Sequence, residues 1–219
     1  MNKLAIFDCD GTLVDSQGPI FDAMEHAFAA SSLTPPSREA TRRITGLSLF
    51  EAMRSLHPHG EETHHVRMVE DFKNAFQELR RTTDVHEPLY DGIVDILDAL
   101  DGAGWLLGVA TGKSDRGLNF VLGNHGLTER FVTLHTADRH PSKPHPSMIE
   151  ACITDAGAAP ETAAMIGDTS FDMTMAKAAG IMAIGVSWGY HGPDELREAG
   201  ADIVIDHPSD IAPALKELP

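Results

Sequence analysis

Two acids separated by one residue, Asp8 and Asp10, close a short apolar run, and Gly11 and Thr12 follow at once. The run Leu4–Phe7 has the length and composition of a strand, without helical spacing. Asp-Gly marks where that strand stops. Alternation along a strand points Asp8 and Asp10 the same way and turns Cys9 into packing. Carboxylates held together repel unless a proton or cation intervenes, so the pair reads as a place for acid–base or cation-assisted chemistry. A calcium loop does not fit. Counted from Asp8, the places that need Gly and Glu hold Leu13 and Pro19.

Later stretches repeat the pattern of polar residues at the end of an apolar run. Thr111 and Gly112 follow Trp105–Ala110, and Asp168 and Asp172 follow Ala163–Ile166. Lys143 sits in Pro-Ser-Lys-Pro-His-Pro, a stiff loop ahead of a helix. Thr111-Gly-Lys-Ser114 is no nucleotide phosphate loop, because that motif requires Gly where Leu107 stands. Acids at 168 and 172 could also do no more than cap a helix start.

The elements that must position these residues come in two textures. From Gly18 to about Glu87 the chain reads as helical: Ile20, Met24, Ala27 and Phe28 share one face, and Val66, Val69, Phe72, Phe76 and Leu79 form another stripe. Ser37 follows Pro35-Pro36 as a cap, and Ser48 with Glu51 fits a capping box. After Pro88, strands expected at 105–110, 132–135, 163–166, 181–186 and 203–205 alternate with helices at 91–102, from 114, 146–156, 170–179, 193–199 and 209–217. Such alternation implies an α/β fold, a Rossmann-like parallel sheet with helices on both faces. Residues 1–15 and 88–219 would form the core, with 16–87 an inserted helical cap. Ligands of such sheets bind beyond the carboxyl ends of the strands, where the reactive residues fall.

The bulk of the chain narrows the partners. Its 219 residues suffice for one substantial domain with an insert. The formal charge of -16, from 17 basic and 33 acidic residues, argues against nucleic acid or an anionic membrane. No stretch is long and apolar enough for a membrane span, the start reaches its acids too early for a signal peptide, and both cysteines sit in apolar contexts. A cytoplasmic protein is expected. His57, His59, His64 and His65 lack the spacing of a metal site and read as solvated polar surface. The methionines between 165 and 182 read as core filling.

Asp8-Cys-Asp-Gly-Thr12, Thr111, Lys143 and Gly167-Asp-Thr-Ser-Phe-Asp172 together resemble the four motifs of the haloacid dehalogenase-like superfamily. The likeness spans essentially the whole chain, and Ser-Trp-Gly-Tyr190 is most similar to the phosphoglycolate phosphatase-like and β-phosphoglucomutase-like branch. It implies that Asp8 attacks phosphorus and forms an aspartyl-phosphate, while Asp10 acts as acid and then base. The dehalogenases of the superfamily lack the second aspartate. Thr111, Gly112 and Lys143 would hold phosphate oxygens, with Gly11 and Thr12 also bordering the phosphate. Mg²⁺ would sit on the Asp8 carboxylate, the Asp10 carbonyl and Asp168, with Asp172 orienting its waters. The cap loop Arg42-Arg43-Ile-Thr-Gly-Leu-Ser48 would supply specificity through Arg43, Gly46 and Ser48. The expected activity is Mg²⁺-dependent hydrolysis of a small phosphomonoester of the phosphoglycolate or sugar-phosphate type. A phosphomutase, a pyrophosphatase and a non-catalytic phosphate-ligand module are the alternatives. The substrate and the oligomeric state are not legible.

Overall fold

The computed structural model describes residues 2–82 and 87–218. A six-stranded, all-parallel sheet forms from β1 (Asn2–Phe7), β2 (Trp105–Thr111), β3 (Thr133–Thr136), β4 (Ala158–Gly167), β5 (Met182–Val186) and β6 (Ile203–Ile205). The strand order is β3-β2-β1-β4-β5-β6, so the order reverses between β1 and β4 and leaves a crevice at their carboxyl ends. Leu4 lies opposite Leu106 on one side and Ala163 on the other, which fixes β1 as the middle strand.

Alternation along β1 feeds two cores. Ala5 and Phe7 pack under α5 (Ile93–Gly102) and α6 (Asp115–Asn124), against Ile93, Leu97, Leu118 and Val121. Leu4 and Ile6 face α7 (Ser147–Ala156) and α8 (Ser170–Ala178), against Met148, Cys152, Met173 and Ala176. Each of these β1 side chains is fully buried, and full burial of a large apolar side chain stabilises by about 1.5–3 kcal/mol. Cys9 joins the Ala5 and Phe7 side, as strand alternation requires. The chain closes through α9 (Pro193–Glu198) and a short α10 (Ile211–Ala214).

Between β1 and α5 lie four helices, α1 (Gln17–Ala30), α2 (Arg38–Ile44), α3 (Leu49–Leu56) and α4 (Glu62–Thr82). They bury a third cluster of their own, including Met24, Phe28, Met53, Met68 and Phe72. Ser37 accepts the Ala40 amide at 3.1 Å and Ser48 accepts the Glu51 amide at 3.4 Å, so both caps form. The buried stripe of α4 differs from expectation by one position. Met68 is enclosed, whereas Val66 is 51% exposed on the outer face. His65 is also buried, and its Nε2 lies 2.8 Å from the His57 carbonyl, so it belongs to packing rather than to solvated surface. No helix among the described residues is long and apolar enough to cross a membrane.

Candidate active site

β1 ends at Phe7, and the turn that follows carries Asp8 out over the crevice. The Asp8 amide still donates to the Ile166 carbonyl at 2.9 Å, which fixes the residue beside the end of β4. There β4 delivers Asp168, and the N-terminal turn of α8 delivers Asp172. One oxygen from each of Asp8, Asp168 and Asp172 lies within 4.8 Å of the others, and all three residues are buried. Lys143 enters from the loop before α7, with Nζ 2.8 Å from Asp8 Oδ2 and 2.6 Å from Asp172 Oδ1. Its side chain is wholly enclosed, an unusual place for a lysine unless acids face it.

Three carboxylates against one ammonium leave this hollow with a formal charge of -2. Burial pushes the Asp8 carboxyl up to about 7, and the neighbouring charges of Asp172 and Asp10 push the same way against the pull of Lys143. Asp168 is raised well above the ordinary carboxylate range by burial, then by Asp8 and Asp172. Burial alone would lower Lys143, but Asp172 and Asp8 outweigh it and hold the ammonium above its usual value. One acid suffices to keep the lysine charged, so the surplus falls on the other carboxylates. Asp8 Oδ2 accepts no aligned hydrogen bond despite its burial. An enclosed oxygen cluster with two unmatched negative charges suits a hard divalent cation.

Asp168 is held tightly from behind. Thr12 Oγ1 donates to its Oδ1 and the Tyr190 amide to its Oδ2, each at 2.8 Å. Asp172 closes a capping box with Thr169, whose amide and hydroxyl both donate to Asp172 Oδ2, while Oδ1 faces Lys143. The capping role and the site role therefore coexist in one side chain.

Asp10 departs from the expected pairing. Its carboxylate is not part of the Asp8, Asp168 and Asp172 oxygen group, because the chain has left β1 and turned before reaching it. Its Oδ1 accepts from Ser16 Oγ and stands 2.7 Å from Lys113 Nζ. Lys113 also reaches Glu87 Oε1 at 3.1 Å, and Glu87 Oε2 pairs with Arg80 of α4 at 2.6 Å. Two acids and two bases balance here, so this strap is neutral where the first hollow is not. Lys113 follows the strand-end Thr111 and Gly112, a signal that could have marked it as more than a surface lysine. Ser16 and Glu87 carry no such signal.

The remaining expected positions divide. Thr111 ends β2 and Gly112 follows it, both beside a cavity that Asp8 and Asp10 also line, and Thr111 Oγ1 accepts the Lys113 amide at 3.2 Å. Gly11 and Thr12, expected beside the phosphate, have their polar groups engaged within the turn and with Asp168. The Gly11 amide is taken by the Val14 carbonyl and that of Thr12 by Cys9, while the Thr12 hydroxyl turns to Asp168. Gly11 is needed for space, since at its φ of +82° a Cβ would overlap the Asp168 carboxylate and the Tyr190 ring. Arg43, expected to contribute to specificity, lies at the surface: its side chain is 63% exposed and pairs with Glu39 at 3.0 Å and Glu195 at 3.6 Å. Arg42, one position earlier, latches the helical insert to the core by donating to the Gly189 carbonyl at 2.9 Å. Gly46 does face the core, against Thr169 and Phe171, and the Ser48 amide donates to Ser142 Oγ at 2.8 Å.

A cavity of about 350 Å³ lies between the insert and the sheet, bordered by Asp8, Asp10, Thr111 and Lys113 on one side and by α1, α3 and α4 on the other. Comparison with known proteins agrees with this architecture. Residues 5–186 match the family model described as haloacid dehalogenase-like hydrolase. A probable phosphatase IndB of Dickeya dadantii is 36% identical over all of this chain and 95% of its own length. A phosphoglycolate phosphatase of Agrobacterium fabrum is 30% identical over 99% of this chain and 94% of its own length. A hydrolase structure from Pseudomonas syringae superposes with a TM-score of 0.87 at 26% identity, covering 100% of this chain and 99% of that one. Matched across most of its length, the chain belongs to the haloacid dehalogenase-like hydrolase family.

Proposed function

We propose that this protein is a Mg²⁺-dependent phosphatase that hydrolyses a small phosphomonoester through an aspartyl-phosphate on Asp8. The observation that carries the reading is the buried hollow of Asp8, Asp168, Asp172 and Lys143, two charges short of neutrality at the crevice of the sheet. The word phosphatase in the names of both sequence relatives supports it. Residues 16–87 act in this reading as a cap over a core of residues 1–15 and 88–219. The buried free thiols Cys9 and Cys152 suit a cytoplasmic setting.

The Asp8 carboxylate attacks phosphorus as the bond to the leaving oxygen breaks, and Asp10 gives that oxygen its proton. Asp10 then takes a proton from water as the water attacks the aspartyl-phosphate, freeing inorganic phosphate and restoring Asp8. Lys143, the Thr111 hydroxyl and the Gly112 amide hold the non-bridging oxygens, where positioning and charge do most of the work. The Ser16 and Lys113 contacts keep Asp10 aimed while its proton comes and goes. Asp8, Asp168 and the Asp10 carbonyl would hold Mg²⁺, with Asp172 beside them. When bound there, the ion supplies the positive charge that lets an anionic ester approach these acids.

Phosphate release from a panel of small esters tests the reading. Activity should require Mg²⁺, vanish with chelator and vanish in Asp8→Asn. Full activity in that variant removes Asp8 as nucleophile, and an isomerised sugar phosphate without free phosphate makes the protein a mutase.

A further inference from the structure

The cavity beside Asp8 and Asp10 is larger and more apolar than a two-carbon acid needs. Its volume of about 350 Å³ corresponds to roughly a dozen waters. Its apolar wall is formed by Ile20 and Met24 of α1, Leu49 of α3, and Phe72 and Phe76 of α4, while Thr45, Gln77, Ser114 and Asp138 are among the polar residues that also line it. A second anionic group on the substrate would need a cation with nothing else to neutralise. Three of the four described cations bordering the cavity are matched: Lys73 to Glu70, Arg80 to Glu87, and Lys113 to Asp10 and Glu87. Arg80 is further fixed over the Phe76 ring at 4.6 Å and the Phe120 ring at 4.0 Å. Arg116 alone among the described lining residues pairs with no acid, and it lies exposed at the mouth. Of the basic residues of the cap loop, Arg43 pairs with Glu39 on the surface, and Arg42 donates to the Gly189 carbonyl while its buried Nε has no partner among the described residues.

Resting on the phosphatase reading above, we propose that the ester carries an uncharged, largely apolar organic group of medium-chain alkyl or arylalkyl kind, seated among Ile20, Met24, Leu49, Phe72 and Phe76. The phosphate would lie at Asp8 and Lys143 while the carbon chain runs under the helical insert. Binding of that chain excludes water from the reacting end. Phosphoglycolate, pyrophosphate and other esters bearing a second anion would then be poor substrates.

Primary alkyl phosphates test this without altering the leaving group. The wild-type protein with Mg²⁺ is given ethyl, butyl, hexyl and 3-phenylpropyl phosphate beside phosphoglycolate and pyrophosphate. We expect kcat/KM to rise by up to about fourfold per buried methylene, and hexyl phosphate to exceed phosphoglycolate by tenfold or more. Leu49→Asn should flatten the chain-length series, and Ile20→Asn serves as the second wall variant. A flat series in the wild type, or phosphoglycolate or pyrophosphate ahead of hexyl phosphate, overturns the inference. Calorimetry with hexylphosphonate and ethylphosphonate separates this from the catalytic reading. Tighter hexylphosphonate binding without hydrolysis of any ester sustains the apolar site and defeats the phosphatase reading. Equal binding of the two phosphonates defeats the apolar site, whatever is hydrolysed.

Discussion

Asp8→Asn should abolish phosphate release and, at the same time, raise the thermal stability of the metal-free protein. In the folded chain the Asp8 carboxyl is pushed from an ordinary 3.8 up to about 7, first by burial and then by Asp172 and Asp10. Each unit of such a shift is 1.36 kcal/mol, so holding Asp8 ionised at pH 8 costs on the order of 4 kcal/mol. Asn removes that charge and keeps an acceptor for the Cys9 amide, which donates to Asp8 Oδ1 at 2.6 Å. Lys143 keeps Asp172 as its partner. For a chain of this length the gain corresponds to roughly 5–15 °C in Tm. The sign follows from linkage. The folded-state value lies above the unfolded one, so the stability Asp8 contributes is whole below about pH 4 and is lost as pH rises through about 7. The gap between variant and wild type should therefore open on going from pH 5 to pH 8. Saturating Mg²⁺ should close it from the wild-type side, because the ion favours the ionised carboxylates. Calorimetric or fluorescence melts in chelator at several pH values measure all of this. A variant that melts below wild type at pH 8, or by the same margin at pH 5 and pH 8, would refute the charge argument.

Lys143→Met leaves the buried acids without their one cation and should cost about 3–5 kcal/mol in chelator, partly restored by Mg²⁺; urea unfolding with wild-type stability would contradict it. Glu87→Gln cuts the strap between Arg80 of α4 and Lys113, so kcat should fall severalfold while KM for a short ester holds. Steady-state kinetics reads this, and an unchanged kcat would confine Glu87 to packing. Gly112→Ala would place a methyl against the Gly46 and Leu47 carbonyls, where the helical insert meets the sheet. It should lower kcat tenfold or more with little change in the unfolding midpoint, and an equal loss of stability and activity would assign the fault to the core.

The sheet and the gathering of Asp8, Asp168 and Asp172 were legible because their signals are local. An apolar run that stops at Asp or Thr-Gly marks a strand end, and a parallel sheet brings such ends to one edge. Lys143 was legible because prolines confine its loop. The misread residues share a different cause. Arg42 and Arg43 are identical in type and adjacent on α2, and a helix turns about 100° between them, so only the contact with Gly189 decides which one points inward. Val66 and Met68 differ in the same way, since a long amphipathic helix fixes the width of its stripe more firmly than its edge. Thr12 was read as a phosphate neighbour because it adjoins the acids, yet its hydroxyl satisfies Asp168, 156 positions away.

The largest gap concerns charge rather than position. By residue type, Asp8, Asp10, Asp168 and Asp172 are four acids with one obvious lysine, and type alone does not assign their charge partners. Folding sorts them through contacts between residues distant in sequence: Lys113 reaches Asp10 across 103 positions, and Lys143 reaches Asp172 across 29. The outcome is a neutral strap around Asp10 next to a hollow that stays two charges negative. That division suits the chemistry proposed for each. A proton-transferring acid needs fixed, balanced surroundings, whereas a metal-assisted nucleophile needs an imbalance that only the bound ion removes. Had Lys113 turned instead toward Asp168, both needs would have failed with the sequence unchanged.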